Sequence, residues 1–292
     1  MNILLAIQDF LIGSFQTLAT VIKILIGSGF FIKPSNSYDN ENCIILGNGP
    51  SLNQSIEENK GRLLDYKLIC VNHFAESAIY DSIKPQIYVL NAPEMWRDDV
   101  EPFHYEKGEN LFRTISDNTN WDIDLFVPYA AKKVKRWQKV IKKNPQIRIN
   151  YFNSTPVEGY NLFRRICYNN YLGMPRPHNV LIPSLMLSLF MKFKKIYLFG
   201  TDHSWMKDMW VTENNEVLLH QKHFYDQETS KPRPMDHLGK GSRRMHEVLQ
   251  KFVYAFRGYL EINEYSLSRG QEIINCTEGS YIDAFKRSKV LS

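Results

Sequence analysis

The chain has 292 residues, a length that fits one large α/β domain or one domain with appendages. Hydrophobic residues make up 43% of it, so a sizeable core can form and a disordered chain is excluded. The excess of 36 basic over 31 acidic side chains is small, and no zinc-finger or RNA-recognition motif occurs, so nucleic acid is not an expected partner. The four cysteines are scattered and none forms a CxxC motif, which argues against a zinc site. Four cysteines in a chain of this size do not indicate a disulfide framework.

Residues 1–33 are strongly apolar, and Asp9 and Lys23 are the only charged residues between positions 3 and 32. The segment is long enough to cross a bilayer. Its polar and small residues recur at helical spacing and form one narrow stripe, which favours a membrane-associated helix that lies in the interface. A transmembrane span and a helix packed on the protein or on an oligomer partner are the alternatives. The stripe consists of Asp9, Gly13, Gln16, Thr17, Thr20, Lys23 and Gly27.

Residues 34–41 are polar and rich in turn-forming residues, which predicts a linker. From residue 42 to residue 292, short apolar runs alternate with helical patterns, which predicts an α/β domain with a mostly parallel, doubly wound sheet. The predicted strands are Cys43–Leu46, Lys67–Val71, Ile87–Leu90, Leu125–Val127, Ile196–Phe199 and Leu260–Ile262. Helices are predicted near Leu52–Leu64, Ala130–Lys143, Tyr160–Tyr168, Val180–Phe193 and Arg243–Arg257.

The first predicted strand runs into a tight turn, Gly47-Asn48-Gly49-Pro50, and Ser51 and Leu52 then open a helix. Glycines let a backbone bend sharply and approach a ligand closely. A helix N-terminus beyond such a turn favours phosphate, so the segment predicts a nucleotide or nucleotide-sugar site. It lacks the third glycine of the dinucleotide fingerprint, and a similar turn without bound phosphate is the alternative.

Small polar residues also follow three further predicted strands. Asn72 and His73 come after the second strand, Asn91 comes after the third, and Gly200-Thr201-Asp202-His203 comes after a later one. Ligands of doubly wound sheets collect beyond the carboxyl ends of the strands. The recurrence favours a site at this edge, although asparagine is also a common turn residue.

In their order and context, these elements resemble bacterial sialyltransferases that use CMP-sialic acid. The segment from Asn275 to Ile282 is more similar to the flagellin glycosyltransferases known as motility-associated factors, whose wider family includes archaeal 6-hydroxymethylpterin pyrophosphokinases. The resemblance covers most of residues 42–285. The four elements that carry it are Gly47-Asn48-Gly49-Pro50-Ser51-Leu52, Val71-Asn72-His73-Phe74, Leu90-Asn91-Ala92-Pro93 and Lys195-Ile196-Tyr197-Leu198-Phe199-Gly200-Thr201-Asp202.

This resemblance implies a GT-A-like, Rossmann-type sheet that binds a cytidine nucleotide sugar. It implies that the CMP-sugar lies close to the backbone of the glycines at the strand ends. It also implies that the side chains of the asparagines and of Ser51 contact this donor. At the place where the family has a small-residue turn for the donor phosphate, this chain has His178-Asn179-Val180, and we expect Asn179 to cap the following helix. The implied donor-site residues are Gly47, Asn48, Gly49, Ser51, Asn72, Asn91 and Gly200.

The long polar segment of residues 201–242 is predicted to be a lid over the site. Transfer from a CMP-sugar needs a base for the acceptor hydroxyl and donors for the departing phosphate. By resemblance, His237 is the best match for the base and His223 is the second, while Tyr225 is a candidate phosphate donor. Asp202 follows a strand and could position sugar hydroxyls or, less favourably, a cation. The donor is already activated, so no cofactor is required, and Mg²⁺ is possible but not expected.

Two other sequence features are candidate functional signals. Asp122-Ile123-Asp124 looks like the DxD element of metal-dependent glycosyltransferases, but it leads directly into a predicted strand and is therefore discounted. A run without acidic residues between Pro128 and Val157 suggests a basic face turned toward anionic lipid or a phosphorylated glycolipid, with an ordinary solvated helix face as the alternative. Its basic residues are Lys132, Lys133, Lys135, Arg136, Lys139, Lys142, Lys143 and Arg148.

The predicted function is a bacterial glycosyltransferase at the cytoplasmic face of the inner membrane, attached peripherally or monotopically by its N-terminal helix. It would transfer a sialic-acid-like sugar or Kdo from a CMP donor to a glycan or lipid-linked glycan in the synthesis of lipopolysaccharide or capsule. A homo-oligomer is possible. The alternatives are a Mg²⁺-dependent pterin pyrophosphokinase and a non-catalytic, nucleotide-binding scaffold.

Overall fold

The central sheet contains eight strands, each parallel to its neighbours. The computed structural model describes residues 3–220, 224, 231–235, 241–289 and 291. The strands of the large sheet are β1 Asn42–Leu46, β2 Lys67–Val71, β3 Ile87–Val89, β4 Ile123–Pro128, β5 Ile147–Phe152, β6 Lys195–Phe199, β10 Glu272–Asn275 and β11 Lys286–Arg287. A small antiparallel sheet contains β7 Met209–Val211, β8 Val217–Leu219 and β9 Arg233–Pro234. The α-helices are α1 Ile3–Gly27, α2 Leu52–Glu58, α3 Tyr80–Ile83, α4 Pro102–Asn118, α5 Lys135–Ile141, α6 Asn161–Asn169, α7 Leu181–Phe190 and α8 Met245–Ser268.

Strand β1 lies inside the large sheet, whose order is β11-β10-β6-β1-β2-β3-β4-β5. The chain first moves away from β1 through β2 to β5, and it then places β6 on the other side of β1. The order of the strands therefore reverses between β1 and β6. Ligands of open α/β sheets bind beyond the carboxyl ends of the strands at such a reversal. The predicted mostly parallel α/β architecture is confirmed, and the crevice between β1 and β6 is the first place to look for a site.

Helices cover both faces of the large sheet. One core contains Tyr168 of α6, Leu185 of α7 and Tyr259 of α8, together with Ile24 near the end of α1. The other core, on the opposite face, contains buried residues of α2, α4 and α5. Helix α7 is buried over its whole length because it is apolar on all sides, as expected for a helix between a sheet and an outer layer.

Five of the six predicted strands are confirmed; Lys67–Val71 matches β2 at both ends, and the ends of the other four differ by at most two residues. The strand predicted at Leu260–Ile262 is wrong, because these residues lie in the middle of α8. Their alternation of apolar and polar residues matches a strand over three positions, whereas the surrounding 24-residue helix buries residues at helical spacing. Helices α3 and α4 and strands β5 and β7 to β11 were not predicted.

Residues 34–41, the predicted linker, pack against the domain. The Tyr38 ring stacks on Phe193 with 4.6 Å between centroids, and the Asn36 amide donates to Asp124 at 2.6 Å. Asp124 is buried in β4 and also accepts hydrogen bonds from Arg148 and Asn150. The Asp124 carboxylate therefore belongs to an internal polar cluster, and the DxD-like motif lies at the start of β4, as predicted, and not at its carboxyl end.

Helix α1 is long and apolar enough to cross a membrane by its length and composition. Membrane anchors and signal sequences near an N-terminus share these features. Gly13, Thr17, Thr20 and Lys23 of the stripe on α1 contact the α/β domain, whereas Asp9 and Gln16 of the stripe and most of the apolar side chains are exposed. Of the predicted lid, the described part contains the small antiparallel sheet, which packs through Val217 and Leu219 against Val248 and Phe252 of α8.

Candidate functional site

Three asparagines form a row along the carboxyl ends of β1, β2 and β3. The Asn48 amide donates to the carbonyl oxygen of Val71 at 3.1 Å, directly before Asn72. The backbone N–H of Asn91 donates to the side-chain oxygen of Asn72 at 3.3 Å. The Asn91 amide donates in turn to the Pro177 carbonyl oxygen at 3.1 Å, in the loop before α7. The structure therefore brings together the three asparagines that the sequence assigned to one site, and it adds the loop before α7 to them.

Backbone conformation explains one of these residue types. Asn72 has φ 47°, in the left-handed region that asparagine tolerates better than most residues. Its carbonyl oxygen accepts a short hydrogen bond from the Tyr88 hydroxyl. The turn after β2 thus has a structural reason for asparagine in addition to any contact with a ligand.

The predicted glycines hold the loops after β1 and β6 against each other. The N–H of Gly47 donates to Phe199 O at 2.8 Å, and the N–H of Gly49 donates to Gly200 O at 2.8 Å. A Cβ on Gly49 would lie 2.6 Å from Gly200 O, so the contact leaves no room for a side chain. The sequence interpretation attributed these glycines to a close ligand, whereas the structure gives a loop-to-loop reason for them.

Ser51 and Asp202 connect the same two loops through their side chains. The Ser51 hydroxyl donates to the Asp202 carboxylate at 2.9 Å instead of capping α2. Burial raises the pKa of Asp202, and the hydrogen bonds from Ser51 and from backbone N–H groups oppose this shift. The Asp202 carbonyl oxygen accepts from the N–H of Tyr281 at 2.8 Å. Asp202 is therefore held in place from two sides and remains half-buried at the edge of the sheet.

Asn48 leaves one buried atom without a partner. Its Oδ1 is buried and has no hydrogen-bond partner among the residues that the structure describes. An unpaired buried acceptor costs about 1–3 kcal/mol, so native structures usually supply a donor for it. Phe224 covers the turn, since its N–H donates to the Asn48 carbonyl oxygen at 3.1 Å and its ring packs on Phe74. A ligand donor that reaches Asn48 would satisfy the free oxygen.

A chain of three side chains links α7, α8 and the loop after β6. Asn179 Oδ1 accepts from the backbone N–H groups of Leu181 and Ile182 at 3.0 and 3.3 Å, which confirms the predicted cap. This arrangement directs the Asn179 amide to the Tyr259 hydroxyl at 2.7 Å. It also means that two N–H groups at the start of α7 are occupied and are not available to a phosphate.

His203 is the end of this chain and was not selected from the sequence as a site residue. The Tyr259 hydroxyl lies 2.9 Å from Nδ1 of His203. Because Asn179 donates to Tyr259, the tyrosine proton is directed to Nδ1, and the proton of the neutral imidazole is on Nε2. Burial lowers the pKa of His203 to about 3, so the ring is neutral at pH 7. Its importance depends on Tyr259, 56 positions away, which no local motif indicates.

Positive charge surrounds His178, next to the carbonyl that binds Asn91. Burial is the main reason that the pKa of His178 falls to about 4; Lys251, Arg176 and Arg243 lower it further, and Glu158 partly opposes them. The His178 ring stacks on Tyr254 with 5.1 Å between centroids. Its Nε2 is buried and has no hydrogen-bond partner among the described residues. The arrangement is suited to an anion, which the sequence analysis did not assign to these residues.

The remaining predicted residues cannot be compared with this geometry. His237, His223 and Tyr225 lie outside the described residues, so their roles stay predictions. Among the residues that the structure does describe, no three His, Cys, Asp or Glu side chains form a group that could hold a metal ion. The metal requirement likewise stays a prediction.

Comparison with known proteins adds no family assignment. A scan against models of protein families gave no match for the chain, and a search of curated proteins gave none either.

Replacing Gly200 by alanine tests the contact between the two loops. Gly200 has φ +62°, and an added Cβ would lie 2.7 Å from Leu52 Cβ and 2.8 Å from Gly47 O. The left-handed backbone and the overpacking each cost on the order of 1–2 kcal/mol. We expect Gly200→Ala to lower the free energy of unfolding by about 3 kcal/mol in chemical denaturation. Gly61→Ala is the matched control, because nothing lies within 4 Å of its added Cβ; equal losses in the two variants would contradict the proposed contact.

The pH dependence of stability tests the neutral state of His203. Its pKa is depressed in the folded protein, so between the ordinary value of about 6.5 and the folded value of about 3 the unfolded chain binds the extra proton. Titration of His203 therefore costs no stability above pH 6.5. Below that pH it lowers the free energy of unfolding by about 1.4 kcal/mol per pH unit, down to the folded pKa of about 3. Asparagine tolerates the left-handed backbone at position 203. We expect Tm to fall less between pH 7 and pH 4 in His203→Asn than in the unmodified protein.

The exposed His246 supplies the control for that measurement. His246→Asn should shift the curve of Tm against pH uniformly, without a change in its slope. A His203→Asn curve parallel to that of the unmodified protein would show that His203 does not titrate in this way.

Proposed function

We propose that the chain is a glycosyltransferase with a GT-A-like sheet, which transfers an acidic sugar from a CMP donor to a glycan or glycolipid acceptor. The observation that carries the proposal is the row of Asn48, Asn72 and Asn91 beside Asp202 at the reversal of strand order. Side-chain amides offer both donors and acceptors, and a pyrimidine base and a ribose need both. The sequence resemblance to sialyltransferases is the reason to name cytidine.

The unpaired oxygen of Asn48 supports a nucleotide in this position. A hydroxyl of ribose or the amino group of cytosine can donate to an amide oxygen. Either group would pair the atom that the described residues leave unsatisfied. Because Asn48 lies in the tight turn after β1, the base or ribose would sit against that turn, in the crevice between β1 and β6.

The positive charge near His178 supports an acidic donor. A CMP-linked sialic acid or Kdo carries a phosphate and a sugar carboxylate. Arg243 and Lys251, two of the cations that lower the pKa of His178, would attract such a donor and stabilise the departing CMP, whereas Arg176 is paired with Glu158. The neutral His203, with its proton on Nε2, is a further donor for a phosphate or carboxylate oxygen.

In the proposed reaction the bond between the anomeric carbon and the CMP oxygen breaks, and the acceptor hydroxyl bonds to that carbon. Its proton passes to a base, which by resemblance is His237 of the lid or, as the second choice, His223. Tyr225 would donate to the departing phosphate, and Asp202 would accept from a hydroxyl of the sugar. Departure of CMP does not require a metal ion in this scheme.

Helix α1 supports a membrane location for this reaction. It is apolar and long enough to enter a bilayer, and an acceptor carried on a lipid would be found there. We therefore propose attachment to the cytoplasmic face of the inner membrane of a bacterium, where an activated CMP-sugar is made and lipid-linked glycans are assembled.

A thermal-shift panel with CMP, CDP, UDP, GDP and ATP, each with and without Mg²⁺, tests the nucleotide. We expect CMP alone to raise Tm, because a ligand that binds only the folded state stabilises it by about 2.7 kcal/mol at 100 times its Kd. Asn48→Ala should raise the Kd of CMP at least about tenfold, equivalent to about 1.4 kcal/mol. The control is Asn170→Ala, since Asn170 is exposed at the end of α6 and bonds within that turn.

Other results of the panel would replace the proposal. A response to ATP that requires Mg²⁺ would favour the pterin pyrophosphokinase. If no nucleotide changed Tm, the site would not bind nucleotides at all, and the glycosyltransferase proposal would fail.

The lid histidines are tested by kinetics. We expect His237→Ala to lower kcat for CMP release from CMP-sialic acid or CMP-Kdo by about 100-fold or more, with the CMP-induced rise in Tm unchanged. His246→Ala, on the exposed side of α8, should leave kcat unchanged. Unchanged rates in His237→Ala, His223→Ala and Asp202→Ala would show that the base and the sugar-binding carboxylate have been assigned wrongly.

A further inference from the structure

We infer that α1 lies flat in the surface of an anionic bilayer, with Gly13, Thr17, Thr20 and Lys23 of its stripe bound to residues 155–160 and its apolar side in the lipid. The inference deepens the membrane attachment proposed above and does not depend on the sugar-transfer chemistry. It rests on three observations: the middle of the stripe is bound to the domain, most of the exposed side chains of the helix are apolar, and aromatic residues and lysines gather near its end.

Threonines of the stripe make the first contact. Thr20 is fully buried, and its hydroxyl donates to Glu158 O and accepts from Glu158 N, both at 3.0 Å. Thr17 accepts from the N–H of Tyr160 at 3.2 Å. The Tyr160 hydroxyl reaches the helix again at Phe10 O, at 2.9 Å. An interfacial helix usually turns its polar side to water, whereas here the stripe is paired with protein.

Two glycines make this close approach possible. A Cβ on Gly13 would lie 2.8 Å from the Tyr160 ring. Gly159 has φ +109°, and a Cβ there would collide with Thr17. The small residues of the stripe therefore serve helix docking, which the sequence pattern alone did not distinguish from membrane attachment.

The other side of α1 is an exposed apolar surface. Phe15 is 74% exposed and Ile26 is 80% exposed. Leu162 and Ile166 on α6 are also exposed. Leu162 is two residues after Tyr160, which contacts α1. A surface that extends along a 25-residue helix is larger than the patches that soluble monomers usually expose, and it indicates an interaction site.

Residues near the end of α1 match the headgroup region of a bilayer. Phe30 and Phe31 are exposed directly after the helix, and Lys33 follows them. Tyr129 lies against Gly29, and the amino group of Lys132 lies 5.7 Å from the Tyr129 ring centroid. Aromatic rings and lysines are enriched at the membrane interface, and exposed lysines attract anionic lipids. This charge complementarity favours an anionic bilayer over a second copy of the chain as the partner.

The docked charges oppose a transmembrane orientation. Lys23 of α1 pairs with Glu158 at 3.3 Å, and Glu158 also binds Arg176 at 2.7 Å. Burial would raise the pKa of Glu158, but the hydrogen bonds and charges of Arg176 and Lys23 outweigh it and lower the pKa, so the group is ionised at pH 7. A spanning α1 would have to break these contacts or carry the ionised groups into the hydrocarbon, where charged side chains are costly.

Depth measurements on the full chain distinguish a flat helix from a spanning one. Leu4, Leu11, Leu18 and Leu25 are all exposed and lie seven residues apart, on one side of α1. Each is replaced by a spin-labelled cysteine in turn, with the half-buried Cys276 changed to alanine. In vesicles that contain phosphatidylglycerol, we expect the four labels at similar depths. Labels that are deep in the middle and shallow at both ends would overturn the inference, because the four positions span about 32 Å along a helix.

Vesicle binding tests the surface itself. The double variant Phe15→Gln and Leu18→Gln should weaken flotation with phosphatidylglycerol vesicles at least about tenfold. The control is Gln54→Ala, at an exposed position of α2 on the opposite side of the sheet. The pair Lys132→Gln and Lys133→Gln should remove the preference for anionic over neutral phosphatidylcholine vesicles and leave residual binding.

Two outcomes would contradict the inference. A second copy of the chain covers this surface if the unmodified chain does not float with vesicles but forms a dimer, and the Phe15→Gln and Leu18→Gln variant is a monomer. If the lysine variant keeps its preference for anionic vesicles, charge complementarity does not guide binding. The CMP-induced rise in Tm is measured on the same variants, so a failure of nucleotide binding can be separated from a failure of membrane binding.

Discussion

The contact between the loops after β1 and β6 determines the arrangement of the candidate site. These strands are neighbours although about 150 residues separate them, and their loops meet through Gly47, Gly49 and Gly200 without intervening side chains. This close approach lets Ser51 bind the Asp202 carboxylate from the opposite loop. The asparagine row on one side and the His203 chain on the other are then held at fixed positions along one edge of the sheet. A side chain at any of the three glycines would separate these two groups.

The sequence predicted the part of the site that each strand end supplies by itself. Strands β1, β2 and β6 are short apolar runs followed by glycine or asparagine, so their positions and their polar ends could be recognised locally. Strand β5 was missed because Arg148 and Asn150 interrupt its apolar pattern; both bind the buried Asp124 of β4. Such polar pairing between strands has no local signature. The sequence placed His203 at a strand end but could not predict its partners Tyr259 of α8 and Asn179 before α7, which are distant in the chain.

The polar stripe of α1 shows how one pattern can arise from two different environments. Small and polar residues at helical spacing predict a side that avoids lipid, but they do not say whether that side meets water or protein. In this chain it meets residues 155–160, and the groups of Thr17 and Thr20 are paired there. The apolar majority of the helix is thereby turned outward. A soluble protein would bury that side and expose the stripe, so the reversed arrangement is itself an argument for a lipid environment.

Glu158 connects α1 with the candidate site. Its carboxylate binds Lys23 of α1 and Arg176 of the loop before α7, and the Arg176 guanidinium lies 4.7 Å from the centre of the Tyr254 ring. Tyr254 stacks on His178, whose neighbour Pro177 accepts the amide of Asn91. A continuous series of contacts therefore runs from the helix that we assign to the membrane to the row of asparagines. If α1 lies in a membrane as we infer, this series of contacts joins the positively charged side of the candidate site to the lipid-bound helix, on the side from which the proposed lipid-linked acceptor would approach.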